Sequence, residues 1–358
     1  MTPRPDIADR KAKADRFLLR RFSPNVRFGT ASDRYAGWIG QIYPDHYRSR
    51  VSSRRRKLGS RTYEERTVPV ESVADYFEHF DVLELDFTFY RTLIDPDGKP
   101  SSNYGVLQRY ADNAPDHARF FLKAPQAFFA RKLRRRTDGK PSYVQNPEFL
   151  DAEAYTTTFL YPAMEILGDK TLGIIFEQEY QRVADSPEPI DNVSELAEFF
   201  SRVPQLVQSH IEIRSSHLLQ PAYFEWLERS GIGFVFSHWT WLPPLRKQWT
   251  LSGERFTAQD GNVVARLLTP LDVPYAEAYA RTHPFDKVVP TVAESDQARR
   301  MVLDTTALAF RAEAADATLN VIANNRAWGN APELAKTIAL RILEEEERRA
   351  SGGDQSRP

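Results

Sequence analysis

The sequence predicts an α/β fold, a (β/α)8 TIM barrel, which is a closed parallel barrel, here carrying loop insertions. Short runs rich in Val, Ile, Leu and Phe alternate with segments of helical period, as expected of a parallel sheet with crossover helices. Eight such units divide the 358-residue chain at a spacing of about 40 residues. An open doubly wound sheet is the alternative, but no Gly-x-Gly-x-x-Gly motif follows the first strand.

The eight apolar runs predict the barrel strands. They cover residues 25–31, 81–87, 119–124, 170–178, 209–214, 232–238, 262–267 and 318–324. Between them, Pro221 suits the first turn of a helix, and Gly231 suits the left-handed end of that helix. Asn192 and Glu195 have the spacing of a capping box, which predicts a helix start there.

Charge is unevenly distributed along a chain whose net charge is only −1. Residues 48–66 hold eight basic and two acidic side chains, and residues 131–140 hold six basic and one acidic. We expect both to be exposed insertions, near 48–66 and 131–147, in a barrel spanning residues 25–348. Residues 1–24 and 349–358 are predicted to be mobile tails.

Composition excludes several classes of protein. The chain has no cysteine, which removes disulfides, thiolate metal sites and cysteine nucleophiles and is typical of a reducing compartment. The charged first 20 residues do not resemble a signal peptide, and no apolar run is long enough to span a membrane. We therefore expect a cytoplasmic protein with no membrane contact.

Polar side chains stand where the predicted strands end, which is the face of a barrel that carries active sites. Glu84 and Asp86 are two residues apart and share one side of their strand, as do Glu212 and Arg214. Lys123 and Arg266 end two further strands. Buried charges require partners, so these groups either form a structural ion-pair network or bind a ligand.

The ligand hypothesis assigns each of these residues a role. Glu84 and Glu212 are the acid/base candidates of a hydrolase or another acid/base enzyme, with Lys123 as a further catalytic candidate. The predicted ligand-binding residues are Arg214, Arg266, Gln178, Asn325, Trp38, Tyr90 and His238. The expected partner is a small polar, anionic or sugar-like molecule. The cofactor and the oligomeric state are left open by the sequence.

Seven motifs in order resemble one family. They are Gly29-Thr30-Ala31-Ser32, residues 37–44, residues 84–90, residues 121–125, Leu172-Gly173 with Gln178, Glu212-Ile213-Arg214, and Asn324-Asn325 with Gly329-Asn330-Ala331. Over residues 26–343 the chain resembles the DUF72, or YecE-like, family of uncharacterised TIM-barrel proteins.

The resemblance implies the barrel fold and a shared polar pocket, but no particular reaction. Its pocket residues are Glu84, Lys123, Gln178, Glu212, Arg214, Arg266 and Asn325. The chain also departs from the family pattern. Leu267 and Leu268 follow Arg266 where His-Gly is usual, Asp86 replaces an Asn, and Ser237 stands where Asp is common.

Two alternative functions follow from other residues. The arginine-rich insertions, especially residues 54–57 and 131–136, suit phosphate contacts and so a nucleic-acid-binding protein. A metal-dependent phosphodiesterase would need a cluster of ligands such as Glu84, Glu177, Glu212 and His238. No His-rich spacing supports such a cluster, so no metal ligands are predicted.

Overall fold

The computed structural model describes residues 7–137 and 140–352, with the side chains of residues 134–141 and 352 left out. The strands are β1 (Val26–Ala31), β2 (Ser52–Leu58), β3 (Arg61–Thr67), β4 (Val82–Leu85), β5 (Arg119–Lys123), β6 (Lys132–Thr137), β7 (Lys140–Gln145), β8 (Thr171–Gln178), β9 (Ser209–Ile213), β10 (Gly233–His238), β11 (Asn262–Leu267) and β12 (Thr318–Ala323).

Helices follow most of the barrel strands. They are α1 (Ile7–Asp15), α2 (Val73–His79), α3 (Ser102–Asn113), α4 (Gln126–Phe129), α5 (Ala152–Tyr155), α6 (Tyr161–Leu167), α7 (Pro189–Arg202), α8 (Pro221–Ser230), α9 (Leu245–Leu251), α10 (Tyr275–Thr282), α11 (Pro290–Ala293), α12 (Asp296–Ala314), α13 (Asn325–Trp328) and α14 (Ala331–Gly352).

Eight parallel strands close into a barrel in the order β1, β4, β5, β8, β9, β10, β11 and β12. Closure is made between the first and last strands, where Val26 pairs with Leu319 and Thr30 pairs with Ala323. The predicted TIM barrel is thereby confirmed, and each predicted strand lies within two residues of its observed bounds.

The barrel interior is built in layers. One layer is a dry apolar cluster formed by Ala31, Val82, Phe121, Ile175, Val235, Val264 and Ile322. Side chains alternate along a strand, so the residue two positions further on also points inward. Four of those positions carry Glu84, Lys123, Glu177 and Arg266, so the layer toward the carboxyl ends of the strands is charged.

Both basic segments form antiparallel hairpins outside the barrel. Strand β2 pairs with β3, placing Arg54 opposite Glu65 and Arg56 opposite Tyr63. Strand β6 pairs with β7, but the side chains of Arg134–Arg136 lie outside the described part of the chain. The hairpin β2–β3 contacts α10 through the rings of Tyr63 and Tyr279, whose centroids are 4.9 Å apart. It therefore covers part of the barrel mouth.

The beginning of the chain differs from the predicted mobile tail over residues 1–24. Helix α1 packs on α14, where Arg10 is 3% exposed and bonds Glu346 at 2.6 Å. The Arg10 guanidinium lies 4.6 Å from the ring centroid of Phe22, which is itself buried. The expectation was wrong for residues 7–24 because Arg10 buries its charge against a partner 336 residues away.

Two helix ends test the local sequence signals. Helix α8 begins at Pro221 and ends at Gly231, whose φ of 66° is left-handed, as predicted. The capping box was wrong, because α7 begins at Pro189 and Asn192 lies buried within the helix. Helix α14 continues through residues 349–352 of the predicted second tail, whereas residues 353–358 lie outside the described range. Within that range, no helix is both long and apolar enough to cross a membrane.

Candidate functional site

Arg266 lies at the centre of the charged layer. Its Nε and Nη2 atoms donate hydrogen bonds to the two carboxylate oxygens of Glu84, at 2.7 and 2.6 Å, and its Nη1 donates to Glu212. Ser237 Oγ donates a further hydrogen bond to Glu212. Glu84 and Glu212 are fully buried, so one guanidinium is the shared hydrogen-bond partner of two buried carboxyl groups beneath the barrel mouth.

The two carboxyl groups that share Arg266 differ in their affinity for protons. Burial, opposed by the charge of Arg266 and aided by the nearby charge of Asp86, raises the pKa of Glu84 to about 7. Burial acts in the same direction on Glu212, but the charges of Arg266, Arg214 and Lys123 outweigh it and lower that pKa to about 2. As the pH falls toward neutral, Glu84 is therefore the first of the two to take up a proton.

Above this pair lies a second ion-pair cluster. Lys123 Nζ contacts Glu177 and lies 3.8 Å from Asp86 Oδ1 and 4.0 Å from the ring centroid of Phe89. Arg214 Nη2 lies 2.8 Å from Glu177 Oε2. Burial alone would raise the pKa of Asp86, but the charges of Lys123, Arg266 and Arg326 together lower it. Asp86 therefore remains an ionised carboxylate in the pH range in which Glu84 takes up a proton.

Local structure fixes the position of Lys123. The buried hydroxyl of Thr88, in the turn after β4, donates to the carbonyl oxygens of Leu85 and Lys123, at 2.9 and 2.8 Å. The backbone N–H of Lys123 donates to the same hydroxyl at 3.1 Å. These bonds connect the ends of β4 and β5, so the Asp86 turn and Lys123 are held together as one unit.

A cavity of about 840 Å³ opens over this cluster. Among its described lining residues, nine are arginine or lysine and six are aspartate or glutamate, although the whole chain carries a net charge of −1. Asp86, Lys123, Glu177 and Arg214 line its floor, while five tyrosines and Trp239 form part of its walls. The excess of cations favours an anionic ligand.

The structure brings five of the predicted site residues together: Glu84, Lys123, Glu212, Arg214 and Arg266. Tyr90 lies at the cavity rim and is 69% exposed. The sequence also predicted an ion-pair network as the alternative to a ligand site, and this network is present. Its members bond one another, although Arg214 Nε is buried without a hydrogen bond. Any ligand would meet Asp86, Lys123, Glu177, Arg214 and Arg266 from above.

Gln178 and His238 do not line the cavity, contrary to prediction. Gln178 Nε2 donates to Asn192 of α7 at 2.8 Å, and His238 Nδ1 is 2.7 Å from the carbonyl oxygen of Thr269. Each directly follows a residue that points into the barrel, so strand alternation turns it toward the surrounding layer. Glu177 occupies the position that the prediction gave to Gln178.

Trp38 and Asn325 support the loops beside the cavity instead of lining it. Trp38 is fully buried, stacks on Tyr43 and donates from Nε1 to Asn325 Oδ1 at 3.3 Å. The same Asn325 oxygen accepts the backbone N–H of Ala331 at 2.8 Å. Trp38 therefore does not cover a ligand, and both residues hold the loop after β1 to the start of α14.

Comparisons with known proteins identify the family. The sequence profile described as "Protein of unknown function DUF72" matches residues 51–357. The chain belongs to the DUF72 family. No match was found among curated proteins.

Two solved structures are similar to this DUF72 chain. A DUF72 family protein from Thermotoga maritima is 16% identical, with a TM-score of 0.51, and the match covers 89% of this chain and 99% of that one. A DUF72 family protein from Enterococcus faecalis is 14% identical, with a TM-score of 0.48 and coverage of 89% and 95%. At these identities the first likeness supports the fold alone.

Several cavity residues of this DUF72 protein were not predicted. Arg56 and Glu65 arrive on the hairpin β2–β3, where Arg56 Nη1 and Tyr279 OH donate to Glu65 at 2.8 and 3.0 Å. Arg326 follows β12, and its guanidinium lies 4.7 Å from the ring centroid of Tyr275. The positions of strand ends do not place the hairpin residues at the cavity. Arg326, by contrast, directly follows the Asn324-Asn325 motif, and that position could have identified it as a site residue.

Metal ligands are a separate question for this site. Within residues 7–137 and 140–352, no three His, Asp or Glu side chains are arranged to hold one metal ion. The carboxylates of the barrel mouth are instead bonded to Lys123, Arg214 and Arg266. The geometry therefore gives the metal-dependent phosphodiesterase hypothesis no support.

Proposed function

We propose that this DUF72 protein is an enzyme that binds a small anionic or sugar-like ligand in the barrel mouth and acts on it by acid–base chemistry. The position of Lys123 carries the proposal. Its ammonium group lies between the carboxylates of Glu177 and Asp86 on the floor of a cavity with an excess of cations. All three charged groups line that cavity, so they are positioned to touch a ligand.

Each floor residue has a distinct role in this proposal. Lys123 and Arg214 attract the ligand and orient its polar groups, because both face the cavity while Glu177 fixes their positions. Asp86 exchanges a proton with the ligand. Glu84 lies beneath it, and burial that raises its pKa to about 7 makes it a proton store for Asp86 near neutral pH.

Glu212 and Arg266 support the floor in this scheme. Glu212 is fully buried, is not part of the cavity lining and is bonded to Arg266 and Ser237. It therefore holds the Arg266 guanidinium against Glu84 and does not itself reach a ligand. The acid/base pair expected from the sequence, Glu84 with Glu212, is accordingly proposed as Glu84 with Asp86.

Thermal-shift measurements with a ligand panel test the proposal. The panel contains sugar phosphates, organic acids and the corresponding neutral sugars. We expect at least one anionic ligand to raise the Tm of the parent protein, and the Lys123→Met variant to lose that shift. Lys99→Met is the matched control, because Lys99 is exposed and pairs with the surface residue Asp97, away from the cavity floor.

The chemical step needs a second readout. Ligands that shift the Tm are incubated with the parent protein and with Asp86→Asn, and the mixtures are followed by NMR. We expect a new product with the parent protein and none with Asp86→Asn, although the variant should still bind the ligand. Absence of any anionic ligand effect, or equal product formation by Asp86→Asn, would overturn the proposal.

Nucleic-acid binding through the basic hairpins is the alternative. The hairpin β2–β3 gives it less support than the sequence did, because Arg54 and Arg56 both bond Glu65 at 2.8 Å. Arg55 and Lys57 remain exposed on its other face. RNA or DNA binding that is lost when Arg55 and Lys57 are both replaced by Ser would favour this alternative.

A further inference from the structure

The side chain of Arg326 lies on one wall of the cavity, apart from the ion pairs of the floor. Arg326 is the second residue of α13, the short helix after β12, where Asn324 Oδ1 accepts the Arg326 backbone N–H at 3.0 Å. The guanidinium lines the cavity and lies 4.7 Å from the ring centroid of Tyr275, which belongs to α10. The backbone is thus anchored while the charged group faces the cavity.

Arg326 differs from the cations of the floor because no acidic side chain bonds it directly, although the charge of Asp86 acts on it from farther away. Lys123 and Arg214 bond Glu177, and Arg266 bonds Glu84 and Glu212. Among the described residues, no carboxylate oxygen lies within 4.0 Å of Arg326. Its Nε atom is buried and makes no hydrogen bond. A buried guanidinium nitrogen that lacks a hydrogen bond is unfavourable unless a ligand supplies an acceptor.

Further donors surround the same place. The electrostatic neighbours of Arg326 include Tyr275 at the start of α10, Tyr35, Asp86 and Tyr90. In the described part of the chain, the hydroxyl groups of Tyr35 and Tyr90 form no hydrogen bond, although both residues line the cavity. Arg56 Nη2 lies 3.4 Å from Tyr275 OH and adds a second guanidinium at this wall.

We propose that Arg326 binds the phosphate group of a phosphate monoester, with the hydroxyl groups of Tyr35 and Tyr90 as additional donors. This rests on the proposed function, because it specifies the anionic group of that ligand. A guanidinium without a bonded carboxylate and two hydroxyls without hydrogen bonds suit a dianion with three terminal oxygens better than a single carboxylate.

The location agrees with a general property of the fold. Phosphate groups are frequently bound in (β/α)8 barrels by the loops that follow the seventh and eighth strands. In this protein those strands are β11 and β12, and the loops after them carry Tyr275 and Arg326. A phosphate at Arg326 would leave the remainder of the ligand over Lys123 and Asp86.

Isothermal titration calorimetry tests the assignment. The probes are inorganic phosphate, glucose 6-phosphate, glucuronate and glucose. We expect the parent protein to bind both phosphates, and Arg326→Met to raise both dissociation constants at least about tenfold. Arg326→Lys should restore part of the affinity, because it keeps the charge but loses the planar donor group. Arg109→Met, at an exposed helix position, is the matched control.

Folding and ligand effects are separated by the Tm without ligand. Because no carboxylate bonds Arg326 directly, Arg326→Met should lower the Tm of the ligand-free protein far less than Arg266→Met does. An equally large loss of Tm in both variants would show that Arg326 has a structural role. Equal phosphate affinity in the parent and in Arg326→Met, or tighter binding of glucuronate than of either phosphate, would overturn the inference.

The same titrations distinguish this inference from the proposed function. Lys123→Met should weaken glucose 6-phosphate, whose sugar reaches the floor, more than inorganic phosphate. If Arg326→Met weakens inorganic phosphate but Lys123→Met weakens no probe, the phosphate site stands and the proposed function fails. The opposite result is that Lys123→Met abolishes binding of glucuronate while Arg326→Met leaves the dissociation constant of phosphate unchanged. In that case the proposed function stands and the phosphate site fails.

Discussion

Arg266 and Glu84 form a two-point hydrogen-bonded ion pair inside the barrel, with N–O distances of 2.7 and 2.6 Å. The two residues are 182 positions apart in sequence and lie on strands β11 and β4, which are not neighbours in the barrel. Arg266 also bonds Glu212 of β9. Three strands that do not pair with one another are therefore connected through one guanidinium.

Loss of this guanidinium should strongly destabilise the fold. Arg266→Met leaves Glu84 and Glu212 buried without their principal partner, and breaking such a buried network costs about 3–5 kcal/mol. We expect this decrease in the free energy of unfolding from urea titrations at pH 7. Arg326→Met is the matched comparison, because among the described residues no carboxylate bonds that arginine directly and its loss should destabilise the protein far less. Equal stability of the two variants would contradict the network.

Glu84 should make stability depend on pH. Burial raises its pKa from 4.5 to about 7 in the folded protein, so between these values the folded state holds a proton that the unfolded state releases. The free energy of unfolding should therefore fall as pH rises through this window, by roughly 3 kcal/mol from this group. Urea titrations from pH 4.5 to 8 should show this fall for the parent protein relative to Glu84→Gln. A difference that does not change with pH would refute it.

Glu65 should hold the hairpin β2–β3 against the barrel mouth. Its carboxylate accepts hydrogen bonds from Arg54, Arg56 and Tyr279, and Glu65→Gln weakens all three. A local loss of about 1–2 kcal/mol should speed tryptic cleavage within residues 54–57 by roughly 5- to 30-fold. Glu64→Gln, on the opposite face of the hairpin, is the control and should leave cleavage unchanged.

Helix α1 should contribute to the stability of the whole domain. Arg10→Met removes a buried partner of Glu346 and should lower the free energy of unfolding by roughly 2–4 kcal/mol. Lys11→Met is the neighbouring control, because Lys11 and Glu347 are exposed and such pairs contribute about 0.5 kcal/mol or less. Thermal unfolding that treats both variants alike would show that α1 is not part of the folded core.

The fold was predictable because its signals are local. Each barrel strand is a short apolar run, and Pro221 and Gly231 mark the ends of α8 through their own backbone preferences. The failures required contacts between distant residues. Asn192 has the spacing of a helix cap, but its side-chain oxygen Oδ1 accepts a hydrogen bond from Gln178 Nε2 instead. The burial of Arg10 depends on Glu346 in the same way.

The site was predictable only where strand geometry decides it. Glu84, Lys123, Glu212 and Arg266 meet because the ends of parallel strands meet in a barrel. Gln178 and His238 were chosen by their polarity, although a one-residue change of register turns a side chain to the opposite face. The position of Arg56 depends on a hairpin that folds over the mouth, and neither strand period nor charge pattern specifies that path.

The central claim is that the barrel mouth holds an anionic ligand, and anomalous diffraction from crystals soaked in selenate tests it most directly. Selenate is a tetrahedral oxyanion like phosphate, and its selenium is located without prior assumptions about the site. The account predicts a selenium peak inside the cavity, within hydrogen-bonding distance of Arg326 or of the floor cations Lys123 and Arg214. An empty cavity, with selenate bound only at Arg55 and Lys57 on the outer face of the hairpin, would contradict it.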